Sequence, residues 1–495
     1  MKHILGISAG FHDAALSVIR DDGEILFAGH SERYSKRKND PGIHPDLLAD
    51  ACAWEYDTVA FYERPWMHNI QQWRSGQRLY GPWTARQAIK QHLGTWYQQS
   101  ARREVCFPHH HSHAAAGFQT SPFDSAAVVV IDAIGELDTI SIYRAWYDEQ
   151  GRAQYKRLWR QGYPHSVGLF YSAITKAIGL KPMDEEYITM GMAAYGSALG
   201  SAWMKEQFID DMEAGRFKKN LHIGFDDHEL SFTHDEDIAA SAQCLTEEII
   251  LNVMRRARVL AHCDNLVYMG GVALNCVANS RILGEYFDRI WIMPNPGDAG
   301  SSLGAAALAH GGRLRWKDAF LGHDIPGHYP VKPVLDELVK HKIVGVASGR
   351  AEFGPRALGN RSLLADPRGW DIKDRVNEIK RRQKFRPFAP VILEELADEY
   401  FIMPRGMEDC RYMQAVARCR EPDLYPAICH VDGSSRVQTV PRDGSGIRQL
   451  LEQWYLLTGC PMLLNTSLNI RGEPMVNDRA DADRFEKTYH VRVLS

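Results

Sequence analysis

The chain has 495 residues, more than one hydrophobic core usually supports, so its length predicts two domains. Hydrophobic residues make up 45% of it and charged residues 24%, which excludes a fibrous or disordered chain, and the net charge of −4 gives no sign of a general nucleic-acid binder. Nine cysteines without a CxxC pair argue against a disulfide framework and a structural zinc site, and the polar start leads us to expect a cytoplasmic protein without a membrane partner.

The first thirty residues predict a three-stranded meander. Apolar runs at 3–7, 14–19 and 25–28 are separated by a glycine turn and by an Asp-Asp-Gly turn. The same strand-turn-strand pattern returns at 126–143, so we infer an internal duplication. Two such units, with small or acidic turn residues, are how the actin and Hsp70-like (ASKHA) fold presents phosphate-facing loops. The N-terminal half is therefore predicted to be an α/β domain of this duplicated class.

The segment from Pro65 to Arg103 contains no acidic residue. Its cations and aromatic rings are interleaved; they are Arg74, Arg78, Arg86, Lys90, Arg102 and Arg103 with Trp66, Trp73, Tyr80, Trp83, Trp96 and Tyr97. Cations among aromatic rings suit a phosphate backbone with bases to stack on. The alternative is an amphipathic helical insert whose tryptophans pack on the core.

A candidate metal site begins at His109 and His113. Their spacing of four places both imidazoles on one face of a helix, although a solvated histidine-rich turn is an alternative. Asp132 ends a predicted buried strand and Asp298 lies in a turn, so both carboxylates can project into a cleft. Two imidazoles and two carboxylates suit a divalent first-row metal such as iron(II), manganese or zinc.

A third loop and a domain boundary follow. Gly270, Gly271 and Asn275 come after an apolar run and before a predicted helix, where the adenosine end of a nucleotide could bind. The chain then becomes rich in Gly, His and Pro, and a new strand begins near Val344. We therefore predict domains at 1–330 and 331–495.

The C-terminal domain contains arginines held between glycines and prolines, at 349–362 and at 380–390. Such arginines are fixed in direction, which favours bidentate binding of phosphate oxygens. Further on, 431–440 and 464–469 end apolar runs with hydroxyl and amide groups that could bind a small polar acyl group.

The motifs taken together resemble one family. In chain order they are GFHDAAL from Gly10, the histidine pair with its two aspartates, MGMAAYG from Met190, GGVALN from Gly270, EFGPRALGNRS from Glu352, FRPFAP from Phe385, VDGSSRVQTV from Val431 and NTSLN from Asn465. The set resembles the NodU/CmcH family of O-carbamoyltransferases over nearly the whole chain. The resemblance implies an N-terminal domain similar to the metal- and ATP-binding enzyme of tRNA threonylcarbamoylation, and an α+β YrdC-like C-terminal domain.

The resemblance also implies a chemistry and its residues. Family members use carbamoyl phosphate and ATP to make carbamoyl-adenylate, which then carbamoylates a hydroxyl. The implied metal ligands are His109, His113, Asp132 and Asp298, with iron(II) as the expected metal and Mg²⁺ as an alternative. The implied carbamoyl-phosphate and adenylate site contains Lys380, Arg386, Arg356, Arg361, Arg436, Asn465 and Ser467. His12, with Asp13 beside it, matches the acceptor site, where His12 would accept the hydroxyl proton; the alternative is a histidine that only orders its loop.

The acceptor has several candidates. If it is DNA bound by 65–103, the hydroxyl belongs to a hydroxymethylated pyrimidine such as 5-hydroxymethylcytosine, presented by base flipping. A small glycoside or antibiotic intermediate is the alternative. An ATP-switched binding protein of the actin and Hsp70 type, and a phosphotransferase of the same fold, are alternatives from other classes. We also expect a homodimer.

Overall fold

The computed structural model describes residues 2–51, 53–74, 79, 81–99, 103–225, 230, 234–284 and 286–495. They form two compact units. The first contains Met1–Ser31, Asn39–Ala278 and Gly284–Lys317, and the second contains Glu32–Lys38, Asn279–Leu283 and Asp318–Ser495. The long C-terminal segment of the second unit therefore begins at Asp318, whereas the sequence analysis predicts the domain boundary after residue 330. Within the described ranges, no helix is both long and apolar enough to cross a membrane.

The first unit contains two five-stranded sheets. Its strands are β1 (His3–Ser8), β2 (Ala15–Arg20), β3 (Ile25–His30), β4 (Thr58–Phe61), β5 (Arg103–Cys106), β6 (Ser125–Gly135), β7 (Asp138–Tyr147), β8 (Ala153–Gly162), β9 (Ile209–Asp211), β10 (Arg216–Phe217), β11 (Asn265–Met269) and β12 (Arg289–Trp291). The sheet orders are β3-β2-β1-β4-β5 and β8-β7-β6-β11-β12. In both, a central strand pairs antiparallel with the next strand of its meander and parallel with a later one. This repeated order is what the inferred duplication requires; the assignment to the ASKHA class stays a prediction.

The second unit is built around a six-stranded mixed sheet. Its strands are β13 (Phe320–Ile325), β14 (Ile343–Ala347), β15 (Gly349–Glu352), β16 (Arg361–Ala365), β17 (Ala389–Leu393), β18 (Phe401–Ile402), β19 (Ala417–Cys419), β20 (Ser434–Ser435), β21 (Gln438–Val440), β22 (Met462–Ser467) and β23 (Val493–Leu494). The central order is β21-β17-β22-β16-β14-β23. The sheet strands are buried almost throughout, because apolar clusters pack on the sheet. The YrdC-like assignment stays a prediction.

The helices connect and cover these sheets. In chain order they are α1 (Glu32–Ser35), α2 (Pro45–Ala51), α3 (Pro65–Arg74), α4 (Ala85–Leu93), α5 (His109–Thr120), α6 (Val167–Ala177), α7 (Glu186–Met192), α8 (Ser201–Phe208), α9 (Asp235–Ala261), α10 (Cys276–Asn279), α11 (Gly300–His310), α12 (Val331–His341), α13 (Ile372–Ile379), α14 (Ala397–Tyr400), α15 (Gly446–Thr458) and α16 (Arg479–Tyr489). Short 3₁₀ segments lie at Gly94–Gln99, Ala193–Tyr195, Ala198–Gly200, Leu221–Ile223, Gly271–Leu274 and Glu394–Leu396.

Close packing of α5 against α11 fixes the position of the histidine helix. A Cβ on Gly304 of α11 would lie 1.8 Å from the carbonyl oxygen of Ser112 on α5, so the two backbones meet at this glycine. The same helix approaches β1 at Gly6, where a Cβ would lie 1.9 Å from the carbonyl oxygen of Ser302. These two glycines therefore hold α11 close to β1 and α5 close to α11.

Candidate active site

The two predicted metal-binding histidines lie on α5, which begins directly after Pro108. Both side chains are buried, and their Nε2 atoms are 3.0 Å apart. The prediction that one helix face carries both imidazoles is confirmed, and the alternative of a solvated turn is wrong because neither ring is exposed.

Two carboxylates complete this cluster. Asp132 Oδ2 lies 3.1 Å from His113 Nε2, and Asp298 Oδ1 lies 3.2 Å from His109 Nε2 and 3.3 Å from His113 Nε2. One ligand atom from each of the four buried side chains lies within 4.8 Å of the other three. The structure thus brings together four donors that the sequence distributes over about 190 positions.

Backbone groups orient the Asp132 carboxylate. Its Oδ1 accepts hydrogen bonds from the N–H of Ala133 at 2.8 Å and of Gly271 at 3.3 Å. Gly270 precedes with a φ of +92°, and a Cβ there would lie 2.2 Å from the carbonyl oxygen of Ile131. The glycine loop after β11 therefore holds Oδ1, which leaves Oδ2 directed at the histidines.

The charges of the cluster compensate one another. Burial by itself lowers the pKa of His109, but Asp298 and Asp132 outweigh burial and raise this pKa well above its usual value. Burial raises the pKa of Asp132, but the two histidines outweigh burial and hold it well below its usual range. Two anionic carboxylates facing two imidazole nitrogens are the donor set that a divalent cation takes up, so the residues present fit a first-row metal.

His12 extends the cluster toward the surface. It lies on the loop between β1 and β2, with Nε2 3.6 Å from Asp298 Oδ2 and Nδ1 2.9 Å from Asp13 Oδ2. Asp13 itself has a left-handed backbone with a φ of +54°. Burial lowers the pKa of His12, but Asp298 and Asp13 together raise it to about 10. His12 therefore lies within ion-pair distance of both Asp13 and Asp298.

The predicted nucleotide loop lies between β11 and α10. It contains a 3₁₀ turn, Gly271–Leu274, and the predicted helix follows it as the one-turn helix α10. The Asn275 side chain exchanges two hydrogen bonds of 3.0 Å with the amide of Gln243 on α9. Binding of adenosine at Gly270, Gly271 and Asn275 stays a prediction.

In the second unit, four predicted segments meet at one end of the central sheet. Ser467 at the end of β22 pairs with Ser362 near the start of β16, and Asn465 pairs with Ala389 at the start of β17. β21 runs parallel to β17, so the loop before Gln438 lies at the same end. The loops carrying Arg356, Arg386 and Arg436 therefore converge with the hydroxyl and amide groups of β22.

Lys380 at the end of α13 contacts this sheet end. Its ammonium group donates to the carbonyl and the hydroxyl oxygen of Ser467 and to Asn469 Oδ1. Burial, followed by the positive charges of Arg382 and Arg386, holds the pKa of Lys380 well below its usual value. Lys380 and Ser467, which the resemblance assigns to one site, are therefore in contact, and their binding of carbamoyl phosphate stays a prediction.

A carboxylate organises the loop that carries Arg356. Glu352 Oε1 accepts from the N–H of Leu358 at 2.8 Å, of Asn360 at 3.0 Å and of Arg361 at 3.1 Å. From β22, Asn465 Nδ2 donates to the carbonyl of Ala357 at 3.0 Å and to Gln438 Oε1 at 2.8 Å. This use of Nδ2 fixes the amide orientation, and Asn465 Oδ1 is buried without a hydrogen-bond partner among the described residues.

Arg361 has a different role from the predicted one. Its guanidinium is completely buried and donates only to backbone carbonyls, those of Ser348, Gly349, His323, Asn360 and Asn477. All five of its N–H groups are engaged, so none is available for a phosphate oxygen. We therefore correct the prediction and regard Arg361 as a structural residue.

The basic and aromatic segment forms α3, α4 and the turns around them. Trp66, Trp73 and Trp83 are 40%, 73% and 48% exposed, while Trp96 and Tyr97 are half-buried, so both the nucleic-acid hypothesis and the structural alternative stay predictions. Arg86 and Lys90 on α4 are exposed as well, while Ala88, Ile89 and Leu93 face inward. Arg78, Tyr80, Arg102 and the side chain of Arg74 lie outside the described residues.

Comparisons with known proteins agree with these motifs. Family models described as carbamoyltransferase N-terminus and carbamoyltransferase C-terminus match residues 62–307 and 335–495. The chain is 33% identical to the uncharacterized protein sll1178 of Synechocystis, over 98% of this chain and 94% of that protein. It is 31% identical to nodulation protein NolNO of Sinorhizobium fredii, over 95% of this chain and 76% of that protein. It is 34% identical to nodulation protein NolO of Bradyrhizobium diazoefficiens, over 76% of this chain and 75% of that protein. Among solved structures, full-length HypF gives a TM-score of 0.35 at 14% identity, covering 62% of this chain and 55% of that one, a similarity that carries no argument.

Proposed function

The chain belongs to the carbamoyltransferase family and is an O-carbamoyltransferase, and from this premise we propose that it uses carbamoyl phosphate and ATP to carbamoylate a hydroxymethyl group on DNA. Family membership sets aside the ATP-switched binding protein and the phosphotransferase, because neither transfers a carbamoyl group. The proposal adds three elements to the family activity: the activated intermediate, the metal and the acceptor.

The intermediate is carbamoyl-adenylate. Water first hydrolyses carbamoyl phosphate to carbamate and inorganic phosphate. A carbamate oxygen then attacks the α-phosphorus of ATP and expels pyrophosphate, which gives carbamoyl-adenylate. The acceptor oxygen then attacks the carbamoyl carbon, and AMP leaves. Carbamate alone is a poor electrophile, so the AMP leaving group supplies the activation.

The sheet end of the second unit supports this activation step. Arg356, Arg386 and Arg436 converge there by register, and guanidinium groups bind phosphate oxygens in pairs. Among the described residues, Asn465 Oδ1 is a buried acceptor without a partner, suited to the N–H of a carbamoyl group. Arg436 Nε is a buried donor that likewise has no hydrogen-bond partner in the described ranges, suited to an oxygen of the same ligand. These two atoms match the donor and acceptor pattern of a carbamoyl phosphate.

The metal cluster of the first unit supports the transfer step, and it is the observation that carries the proposal. His109, His113, Asp132 and Asp298 would hold the cation, which we expect to be iron(II) rather than Mg²⁺ because two of the four donors are imidazole nitrogens. When bound, such a cation supplies electrostatic stabilisation of phosphate oxygens. His12 is assigned to the acceptor hydroxyl. Asp13 holds its Nδ1, so Nε2 would take the hydroxyl proton once the charge of Asp298 is engaged by a cation.

DNA is the proposed acceptor because of the exposed rings of the 65–103 segment. Trp73 and Trp83 offer exposed rings to stacked bases, and Lys90 offers charge to phosphates in a stretch without any acid. The guanidinium of Arg64 lies over the Trp66 ring, and Arg86 donates to the Tyr97 hydroxyl and lies 3.9 Å from Glu104 Oε1. A hydroxyl for carbamoylation is absent from ordinary bases, so a 5-hydroxymethylated cytosine, flipped from the stack, is the expected target.

The test is an acceptor comparison. The enzyme, ATP, carbamoyl phosphate and iron(II) are incubated with DNA containing 5-hydroxymethylcytosine, with unmodified DNA, and with free sugars, and the products are analysed by mass spectrometry after digestion to nucleosides. A gain of one carbamoyl group on the hydroxymethyl nucleoside alone supports the proposal. Carbamoylation of a free sugar, with none on DNA, would return the segment to a structural role and favour the small-molecule acceptor.

A further inference from the structure

The residues directly after β4 contact the histidine helix, although no motif pointed to them. Glu63 is buried, with Oε2 3.5 Å from His109 Nδ1 and Oε1 3.6 Å from His68 Nδ1. Its carboxylate therefore faces the ring nitrogen of His109 that points away from the metal cluster. Glu63 precedes His109 by 46 positions, and the parallel pairing of β4 with β5 brings the two together.

The orientation of a ligand histidine depends on its second nitrogen. A carboxylate at Nδ1 favours the tautomer with Nδ1–H, which leaves the Nε2 lone pair for a cation. In His109, Nε2 is the atom that faces Asp298 and His113. In His113, by contrast, Nδ1 is buried and has no hydrogen-bond partner in the part of the chain that is described. One ligand histidine is therefore held by a carboxylate, and the other is held by packing.

The next residue, Arg64, binds the turn between β6 and β7, which also approaches this helix. Its backbone N–H donates to Glu136 Oε1 at 2.8 Å, and its guanidinium contacts both carboxylate oxygens. Glu136 is buried and has a left-handed backbone with a φ of +58°. The neighbouring Gly135 lies so close to α5 that a Cβ would be 2.4 Å from His110 Cδ2 and 2.8 Å from His109 Cδ2. The Arg64–Glu136 pair thus holds the β6–β7 turn against the histidines.

We infer that Glu63 is a positioning residue for the metal centre, which fixes the ring of His109 through Nδ1 so that Nε2 is directed at the cation. The inference rests on the proposed metal-dependent function. Glu63 would thus raise the metal affinity without contacting the metal. Of the two ligand histidines, His109 would be oriented by a carboxylate and His113 by packing.

The test is metal affinity, measured by calorimetric titration of metal-free protein with Mn²⁺. Glu63→Ala should bind about 10–100-fold more weakly than wild type. Glu63→Gln keeps an acceptor at Nδ1 but loses the charge, so its loss should be smaller. Ser141→Ala is the matched control, because it removes the 2.8 Å partner of His110, a neighbouring buried histidine outside the ligand set, and should leave the affinity unchanged.

The outcomes separate this inference from the proposed function. His109→Ala is measured in parallel and should lose binding. Wild-type affinity in both Glu63 variants, with binding lost in His109→Ala, would overturn the positioning role and leave the metal centre intact. Wild-type affinity in His109→Ala as well would refute the metal centre itself. Melting temperatures of the metal-free proteins show whether Glu63→Ala is folded; if it is not, the isosteric Gln variant decides, and an affinity equal to wild type would contradict the inference.

Discussion

The metal cluster of the first unit and the arginine-rich loops of the second differ in how their polar groups are engaged. In the first, ligand atoms from four buried side chains face one another, and the scaffold contacts mainly the atoms directed away from the cluster. In the second, Glu352 and Asn465 bind groups of the loops themselves, and in the part of the chain that is described a few buried atoms such as Asn465 Oδ1 lack a partner. The first site has the donor set of a divalent cation site, whereas in the second the described loops are held by their own hydrogen bonds, and its binding of an anion is our proposal.

The largest expected loss of activity follows substitution of the two histidines in the first unit. His109→Ala and His113→Ala should abolish transfer and lower metal content while the fold is retained, because the loss of a ligand opens the coordination sphere rather than the core. Metal content measured by mass spectrometry, with circular dichroism as the fold control, checks this. Full activity in a metal-free double variant would contradict it.

A second comparison lies within the arginine motif. Arg361→Ala should lower the free energy of unfolding by about 3 kcal/mol or more, since each buried carbonyl left without a donor costs about 1–3 kcal/mol. Arg356→Ala should reduce stability less and act mainly on the KM for carbamoyl phosphate. Urea unfolding and steady-state kinetics of both variants separate the roles. If both variants lower the free energy of unfolding equally, the assignment of a structural role to Arg361 and a substrate-binding role to Arg356 would be wrong.

Metal removal tests the first region without mutation. At a metal concentration one hundred times the dissociation constant, binding should stabilise the folded protein by about 2.7 kcal/mol, because the cation binds only the native state. A chelator should therefore lower the melting temperature of wild type and leave that of His109→Ala unchanged. Thermal scans with and without chelator measure this. An equal shift in both proteins would assign the effect to another site.

The smallest effects are expected at the exposed aromatic segment. Trp73→Ala or Trp83→Ala should weaken DNA binding by about 1–3 kcal/mol if either ring stacks on a base. Neutral substitutions of Arg86 and Lys90 should flatten the dependence of binding on salt. Trp370→Ala is the control, because Trp370 is 85% exposed but lies in the second unit. Fluorescence anisotropy at several salt concentrations gives these values, and an equal loss with Trp370→Ala would indicate non-specific adhesion.

The sequence predicted those parts of the molecule in which spacing determines geometry. Two histidines four apart on a helix must share a face, and the meander strands were placed within a few residues because turns bound each apolar run. Arg361 was misjudged because an arginine in a glycine-rich motif can donate to backbone carbonyls as well as to phosphate. Glu63 was missed because only strand pairing, which joins distant segments, brings it to His109.

The separation of the two half-reactions tests the account most directly. Arg386 lies in the second unit and His12 in the first. Pyrophosphate release that depends on carbamoyl phosphate, and the amount of carbamoylated product, are measured together in Arg386→Ala and His12→Ala. We predict that Arg386→Ala loses both, whereas His12→Ala retains pyrophosphate release and loses only the carbamoylated product. Equal loss of pyrophosphate release in the two variants would contradict the assignment of activation to one region and transfer to the other.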